Sequence, residues 1–489
     1  IHVMPGLLLF CSKLETLKED DVKQLHSELL KELKNKDEIY KVPAKLLTIF
    51  VFLTYFIDWC KQIPKRVEEF DFDIAIEAPM TSAVQMGAIE QLLIITAETS
   101  ENTFELFYDL RSLLEQHLPR LVPKKILDVN EEETKRLRSV NMDSTSTVYV
   151  VTKQYKVSEN LRTIITQVLH DFVQSFISDA AFLLIKIKDA EEDSLLSGED
   201  SLLDDISKKA DLERFYLSIF YLYANREELI STFWEDRESN AYGFIEWASK
   251  VDDLLMKSTF STMVSALASG ASNANHVYHF IASAEKLSWS SIIDLMNAYI
   301  EKIAKFEQSG DDNGLSEEIV LSISSYFTLI YQVASNSESV KALFDDTVLN
   351  CLFNFIRLDT PLVGAALEVI CSLVSEDKDR RNTIWECLDL WLFSQPSVTL
   401  KDCFRNLLVS FPDIVGFINL IEALLKPVKR FGKFELPFPS QLGLTYRKRG
   451  IAPYLEFLLS DVFFHSPALY FSEKVSLQKP ILKILDYTL

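Results

Sequence analysis

Residues 158–187 read SENLRTIITQVLHDFVQSFISDAAFLLIKI. Leu161, Ile165, Val168, Leu169, Phe172, Phe176, Leu183 and Ile187 fall on one face of a 3.6-residue period, and Ser158 supplies an N-cap hydroxyl. The spacing predicts one helix of about 30 residues, roughly 45 Å long. The same amphipathic pattern recurs on both sides of it. Such runs lie near 19–35, 43–62, 82–99, 102–117, 201–224, 238–257, 288–306, 315–335, 339–357, 361–375, 380–394, 401–410, 413–425 and 449–463. The punctuation between them is short: SGDDNG at 309–314, SNSES at 335–339 and SED at 375–377. Pro43, Pro119, Pro123, Pro361 and Pro453 sit at the ends of runs, where a missing N–H costs little. Helices of this length joined by short links predict an all-α chain, an α-solenoid of stacked antiparallel helix pairs. With no strict repeat consensus, the pattern suits HEAT or armadillo-like pairs rather than tetratricopeptide or ankyrin arrays.

Glycine usage supports this and excludes several enzyme classes. The 489 residues hold 12 glycines, and no two stand close enough to form GxG. The backbone cradles that hold nucleotide phosphates need glycine for close approach, so a dinucleotide or P-loop enzyme is not expected. Gly-rich all-β folds are excluded on the same ground. The formal charge is -22. An acidic surface repels phosphate backbones, so nucleic acid is not an expected partner. The charge is uneven. Residues 401–489 carry 12 basic and 8 acidic side chains, and the rest of the chain carries 38 and 64.

One stretch breaks the helical pattern. Residues 129–157, VNEEETKRLRSVNMDSTSTVYVVTKQYKV, are first charged and then β-branched, and read as an insertion loop with an extended segment. The expected organisation is therefore helices over 1–128, the insertion over 129–157, and continuing solenoid over 158–489. The longest apolar run, Leu46 to Ile57, is too short for a membrane span and reads as a buried core helix. No direct membrane span is expected. Cys11, Cys60, Cys351, Cys371, Cys387 and Cys403 show no CxxC and read as buried small hydrophobes in a reducing compartment. The start at Ile1 suggests a segment excised from something longer.

The chemistry-bearing residue types form no recognisable catalytic or metal arrangement. His276 and His279 make an HxxH on a helical stretch, without the further ligands that zinc needs. Asp189, Glu191, Glu192, Asp193, Glu199 and Asp200 lack the EF-hand register and read as an acidic surface. No enzyme activity, metal or cofactor is expected. Three surfaces remain as candidates for binding. The first is the aromatic group Phe233, Trp234, Tyr242, Phe244 and Trp247, read either as core packing or as a groove for apolar peptide anchors. The second is the acidic surface just named. The third is a basic patch of Lys429, Arg430, Lys433, Arg447, Lys448 and Arg449, read as a solvated loop pair or as a docking surface for an acidic neighbour.

Seven stretches in fixed order then resemble one family. They are PMTSAVQMGAIEQLLI (79–94), ELFYDLRSLLEQHLPRLVPK (105–124), IKDAEEDSLLSGED (187–200), KADLERFYLSI (209–219), FWEDRESNAYGFIEWASK (233–250), TPLVGAALEVICSLV (360–374) and YRKRGIAPYLEFLLSD (446–461). Together they are similar to the large inner-ring scaffold, or adaptor, nucleoporins of the nuclear pore complex in fungi and animals. The resemblance runs from about Asp20 to Leu489 and leaves 129–157 unmatched. It implies an N-terminal-half segment of a longer protein, with a karyopherin-like superhelix. It implies a structural role in the inner ring at the nuclear envelope, supporting pore assembly and nucleocytoplasmic transport. The implied partners are linker nucleoporins, through short motifs in their disordered regions, and other inner-ring nucleoporins. A soluble karyopherin-like transport receptor is the alternative expectation. FG occurs once, at Phe431–Gly432, so a barrier-forming repeat protein is not expected.

Overall fold

The computed structural model describes residues 13–35, 43–100, 159–197, 210–250, 252–309, 317–358, 360–393, 403–408, 410–430, 433–435, 438–439, 442–443, 450–465 and 471–488. In chain order the α-helices are α1 Glu19–Lys34, α2 Pro43–Lys61, α3 Pro64–Glu69, α4 Ala78–Gln85, α5 Ala88–Thr99, α6 Glu159–Asp179, α7 Ala181–Ser197, α8 Asp211–Tyr223, α9 Glu227–Trp234 and α10 Asn240–Ala248. They continue as α11 Leu254–Ala266, α12 Ala271–Ser283, α13 Trp289–Ser309, α14 Glu317–Asn336, α15 Glu338–Lys341, α16 Asp346–Phe355, α17 Val363–Ser372, α18 Lys378–Leu392, α19 Phe411–Leu425, α20 Ala452–Phe457 and α21 Phe471–Thr488. One short antiparallel hairpin, β1 Val428–Arg430 with β2 Lys433–Glu435, interrupts them. The fold is all-α in build, with helices packed on their neighbours as in a solenoid.

Two compact units divide the described residues. The first holds those up to Ala224 together with Glu235–Ile245. The second holds Asn225–Trp234 and those from Glu246 on. In the first unit, α2 is the apolar run 46–57 expected from sequence. Leu46, Leu47, Phe50, Val51, Phe52, Leu53 and Phe56 are all 0% exposed, so this helix is buried on every side. It packs against α5, α6 and α4, and α5 packs in turn on α8. Phe50, Phe172, Phe176 and Phe215 join in a chain of rings with centroid separations of 4.9–6.0 Å.

Two sequence expectations change in this unit. The single helix expected over 158–187 is two, α6 and α7, bent by 59° at Ala180. The break comes where the amphipathic stripe gives way to the nearly continuous apolar run AFLLI, led by the small buried pair Ala180 and Ala181. Ser158 itself lies outside the described residues. The run expected over 82–99 divides at Gly87, which has φ 100°, a left-handed conformation that favours glycine. The runs at 102–117 and 129–157 lie outside the described residues.

In the second unit each helix of one row packs on the next: α11 on α14, α14 on α17, α17 on α19 and α19 on α21. Helices α12, α13, α16 and α18 pack alongside. The row is held together by close approach. A Cβ on Gly364 of α17 would meet the Pro412 carbonyl carbon at 2.5 Å, and one on Gly416 of α19 would meet the Gly364 carbonyl oxygen at 2.5 Å. The Gly364 N–H also donates to the buried Asp413 carboxylate at 2.7 Å. At α11 and α14 the small side chains are hydroxyls: Ser258, Ser261, Thr262, Ser265, Ser322 and Thr328 are each 0% exposed. Most bond carbonyls of their own helix, and Ser258 meets Ser322 across the interface at 3.0 Å.

Candidate functional site

The five aromatic positions singled out from sequence divide between the units. Phe233, Trp234 and Trp247 belong to the second, Tyr242 and Phe244 to the first. Phe233 is 0% exposed. Trp234 is 6% exposed, donates its indole N–H to the Leu267 carbonyl at 3.2 Å, and lies parallel to the His276 ring at 6.3 Å. Phe244 is 7% exposed and meets Phe215 and Tyr216 edge-on. Contacts within their own units engage Trp234 and Phe244, and all three side chains are buried. Tyr242 and Trp247 are half-buried.

The charged candidates are described in part. Asp189 is exposed near the middle of α7; Glu191, Glu192 and Asp193 follow on the same helix, and Glu199 and Asp200 lie outside the described residues. Lys429, Arg430 and Lys433 fall on the hairpin, with Arg430 opposite Lys433 and Lys429 opposite Phe434. Arg447, Lys448 and Arg449 lie outside the described residues. The hairpin replaces part of the loop pair expected here. It places two like charges in register, a pairing that disfavours the sheet unless something neutralises it.

Several charges are committed to the fold instead. In the first unit, the Arg214 guanidinium is 1% exposed and pairs with Asp211 at 3.2 Å and Glu90 at 3.6 Å. Lys188 pairs at 2.8 Å with Glu213, whose side chain is 1% exposed. In the second unit three cations hold backbone carbonyls at helix ends, where four C=O groups lack intrahelical partners. Arg381 donates to the Leu424 and Lys426 carbonyls that end α19, both at 3.1 Å. Arg380 donates to the Leu373 carbonyl at 3.1 Å and to Phe344 at 2.6 Å, while Lys341 reaches the Val374 carbonyl at 3.3 Å.

An aromatic surface that sequence reading missed lies on the second unit. Tyr278 of α12 and Trp289 at the start of α13 stack at 5.5 Å, tilted by 25°. Phe344 wedges edge-on against both, at 5.3 and 5.0 Å. The Trp289 indole donates to the Tyr278 carbonyl at 3.0 Å, and the Tyr278 hydroxyl donates to the Leu343 carbonyl at 3.3 Å. Phe344 is buried, Tyr278 and Trp289 are half-buried, and Leu343 is 48% exposed. Burial and the Asp345 carboxylate push the Tyr278 hydroxyl above its ordinary pKa.

The remaining titratable groups point to packing. His26 stacks on Phe56 at 4.3 Å and bonds the Ala75 carbonyl at 2.9 Å; burial pulls its pKa down. His170 meets the Tyr223 hydroxyl at 2.9 Å and is lowered for the same reason. Burial pushes the Cys60 thiol up to about 11 and Cys351 up to about 12, away from the thiolate that reactivity requires. His276 and His279 are exposed on α12. Among the described residues no group of three or more His, Cys, Asp or Glu side chains is placed to hold a metal ion. No single helix among them is long and apolar enough to cross a membrane.

Rows of stacked helices, with buried charges spent on helix ends and surfaces suited to contact, define a helical scaffold. The chain belongs to the nuclear pore complex scaffold family of nucleoporins 186/192/205, whose model matches residues 1–489. It is 25% identical over 350 residues to Nucleoporin NUP192 of Chaetomium thermophilum, an alignment covering 60% of this chain and 20% of that protein. It is 22% identical over 363 residues to Nucleoporin nup186 of Schizosaccharomyces pombe, covering 61% of this chain and 22% of that protein. The aligned region thus spans about a fifth of the length of these relatives. Family membership places the chain at the nuclear pore complex in the nuclear envelope, among other pore components.

Proposed function

We propose that this chain is a structural, non-catalytic part of the inner ring of the pore, which binds short motifs in the disordered regions of linker nucleoporins. The observation that carries the reading is the stacked row α11, α14, α17, α19 and α21, joined by close glycine contacts and arginine-held helix ends. Such a row presents a surface that can receive extended peptides along its length. The formal charge of -22 adds long-range attraction for basic flanks of such motifs. Support for pore assembly and nucleocytoplasmic transport then follows from holding linkers in place, not from carrying cargo.

The test is a pull-down. The chain is immobilised and offered recombinant disordered segments of linker nucleoporins and, in parallel, a GTP-loaded Ran-type GTPase. The proposal expects capture of at least one linker segment and nucleotide-independent behaviour towards the GTPase. GTP-dependent capture of the GTPase with no linker bound would overturn it in favour of a transport receptor.

A further inference from the structure

We infer that the ledge formed by Tyr278, Trp289, Phe344 and Leu343 is a docking site for a basic peptide segment bearing one aliphatic or aromatic anchor. The inference takes its partner from the linker-binding reading above and gives that reading a specific address. The ledge is built from three separate parts of the second unit: α12, the start of α13, and the turn before α16. Phe344 fills the space beneath the two larger rings, so their outer surface is fixed before anything binds. Both polar tips are satisfied by backbone carbonyls, leaving the apolar ring surface for a ligand. Rigid aromatic area of this kind binds with little loss of conformational freedom. Leu343, nearly half exposed at the edge, adds an aliphatic lip.

The rim determines the charge of the occupant. Asp345 and Asp346 directly follow the wedge and are exposed. Asp345 accepts from the Thr347 N–H at 3.1 Å, which holds its carboxylate at the start of α16. Glu338 lies on α15, just before this turn, with its side chain 73% exposed. The cations in this region are already engaged. Lys341 is paired with Glu338 at 2.6 Å, and Arg380 donates to the Phe344 and Leu373 carbonyls while lying in the field of Asp345 and Asp346. His279 lies edge-on to Tyr278 at 5.6 Å and is exposed. The surface therefore joins an aromatic face to a rim where the carboxylates of Glu338, Asp345 and Asp346 outnumber the cations Lys341 and Arg380. An Arg or Lys side chain gains on both counts, over the ring and against the carboxylates. An acidic segment would be repelled.

The experiment begins by selecting ligands from a random-peptide phage library on the full chain. The selected peptides are then titrated against the wild-type chain and three variants: Leu343→Lys, Asp346→Lys and Tyr278→Ala. Leu343→Lys and Asp346→Lys alter exposed positions, so unchanged circular dichroism is expected for both, with a slightly lower melting temperature for Asp346→Lys because Asp346 opens α16 and lies in the field of Arg380. Selected peptides should combine Lys or Arg with one bulky apolar residue, and each variant should weaken them by ~10-fold or more. Selection of acidic peptides, or of peptides that bind all three variants like the wild type, overturns the ledge. So does concentration-dependent self-association abolished by Leu343→Lys, which would assign the face to a second copy of this chain. The two readings fail separately. A linker segment that binds wild type, Leu343→Lys and Asp346→Lys alike removes the ledge and leaves the scaffold reading intact. Selected basic peptides that need the ledge, with no linker segment bound by the wild-type chain, would do the opposite.

Discussion

The two units solve the same packing problem with different chemistry. In the first, α8 sits among its neighbours with Asp211, Glu213 and Arg214 at 4%, 1% and 1% exposure. In the second, the corresponding interior contacts are made by glycines and hydroxyls, and the cations move out to helix ends. A buried charge is costly unless paired, and loss of one partner strands the other. A glycine contact fails instead when anything is added. The first unit should therefore be most sensitive to deletion of side-chain atoms, the second to their insertion.

The largest expected effect tests the first half of that contrast. Arg214→Ala leaves Asp211 and Glu90 without their buried cation, and should cost about 3–5 kcal/mol in chemical denaturation. A loss below about 1 kcal/mol would show that water reaches the pair. Next comes Gly416→Ala, whose new methyl would meet the Gly364 carbonyl oxygen at 2.5 Å and the Leu367 Cβ at 3.1 Å. It should cost about 1–3 kcal/mol. The same substitution at Gly243, where a Cβ meets nothing within 4 Å, is the control and should be neutral or slightly stabilising.

Smaller still is the joint change Ser258→Ala with Ser322→Ala. It removes both hydroxyls of one contact at once, so the expected loss is about 1 kcal/mol or less. Acidification gives a graded test weighted to the first unit, where His26 and His170 lie. Both have folded pKa values below their ordinary value of 6.5. The unfolded chain thus takes up protons first, so their contribution is constant above about pH 6.5 and stability falls as the pH drops below it. His26→Phe should flatten the fall in a pH series of melting temperatures. Glu368 works the other way, since burial raises its pKa above 4.5, and its contribution is confined to more acidic solutions.

Much of the fold was legible because helical periodicity is local. The runs at 19–35, 43–62, 288–306, 315–335, 361–375, 380–394 and 413–425 match helices to within a few residues. The breaks were less legible. The bend at Ala180 and the left-handed turn at Gly87 fall inside stretches that stay apolar on both sides of the break. The hairpin at 428–435 follows a helix end with no long β-branched run to announce it. The surfaces were least legible. Phe233 to Trp247 are close in sequence, yet they divide between two units, and Phe233, Trp234 and Phe244 are buried. Tyr278, Trp289 and Phe344 are distant in sequence and meet because α12, α13 and the turn before α16 come together. Spacing along the chain carries no trace of such a meeting.

The most direct test of the scaffold account is calorimetric titration of the whole chain with each disordered linker segment, at low and at high salt. The account predicts saturable binding of at least one segment, weakened but not abolished by salt, because aromatic contact persists where the charged rim is screened. Heats of dilution with every segment at low salt would contradict it.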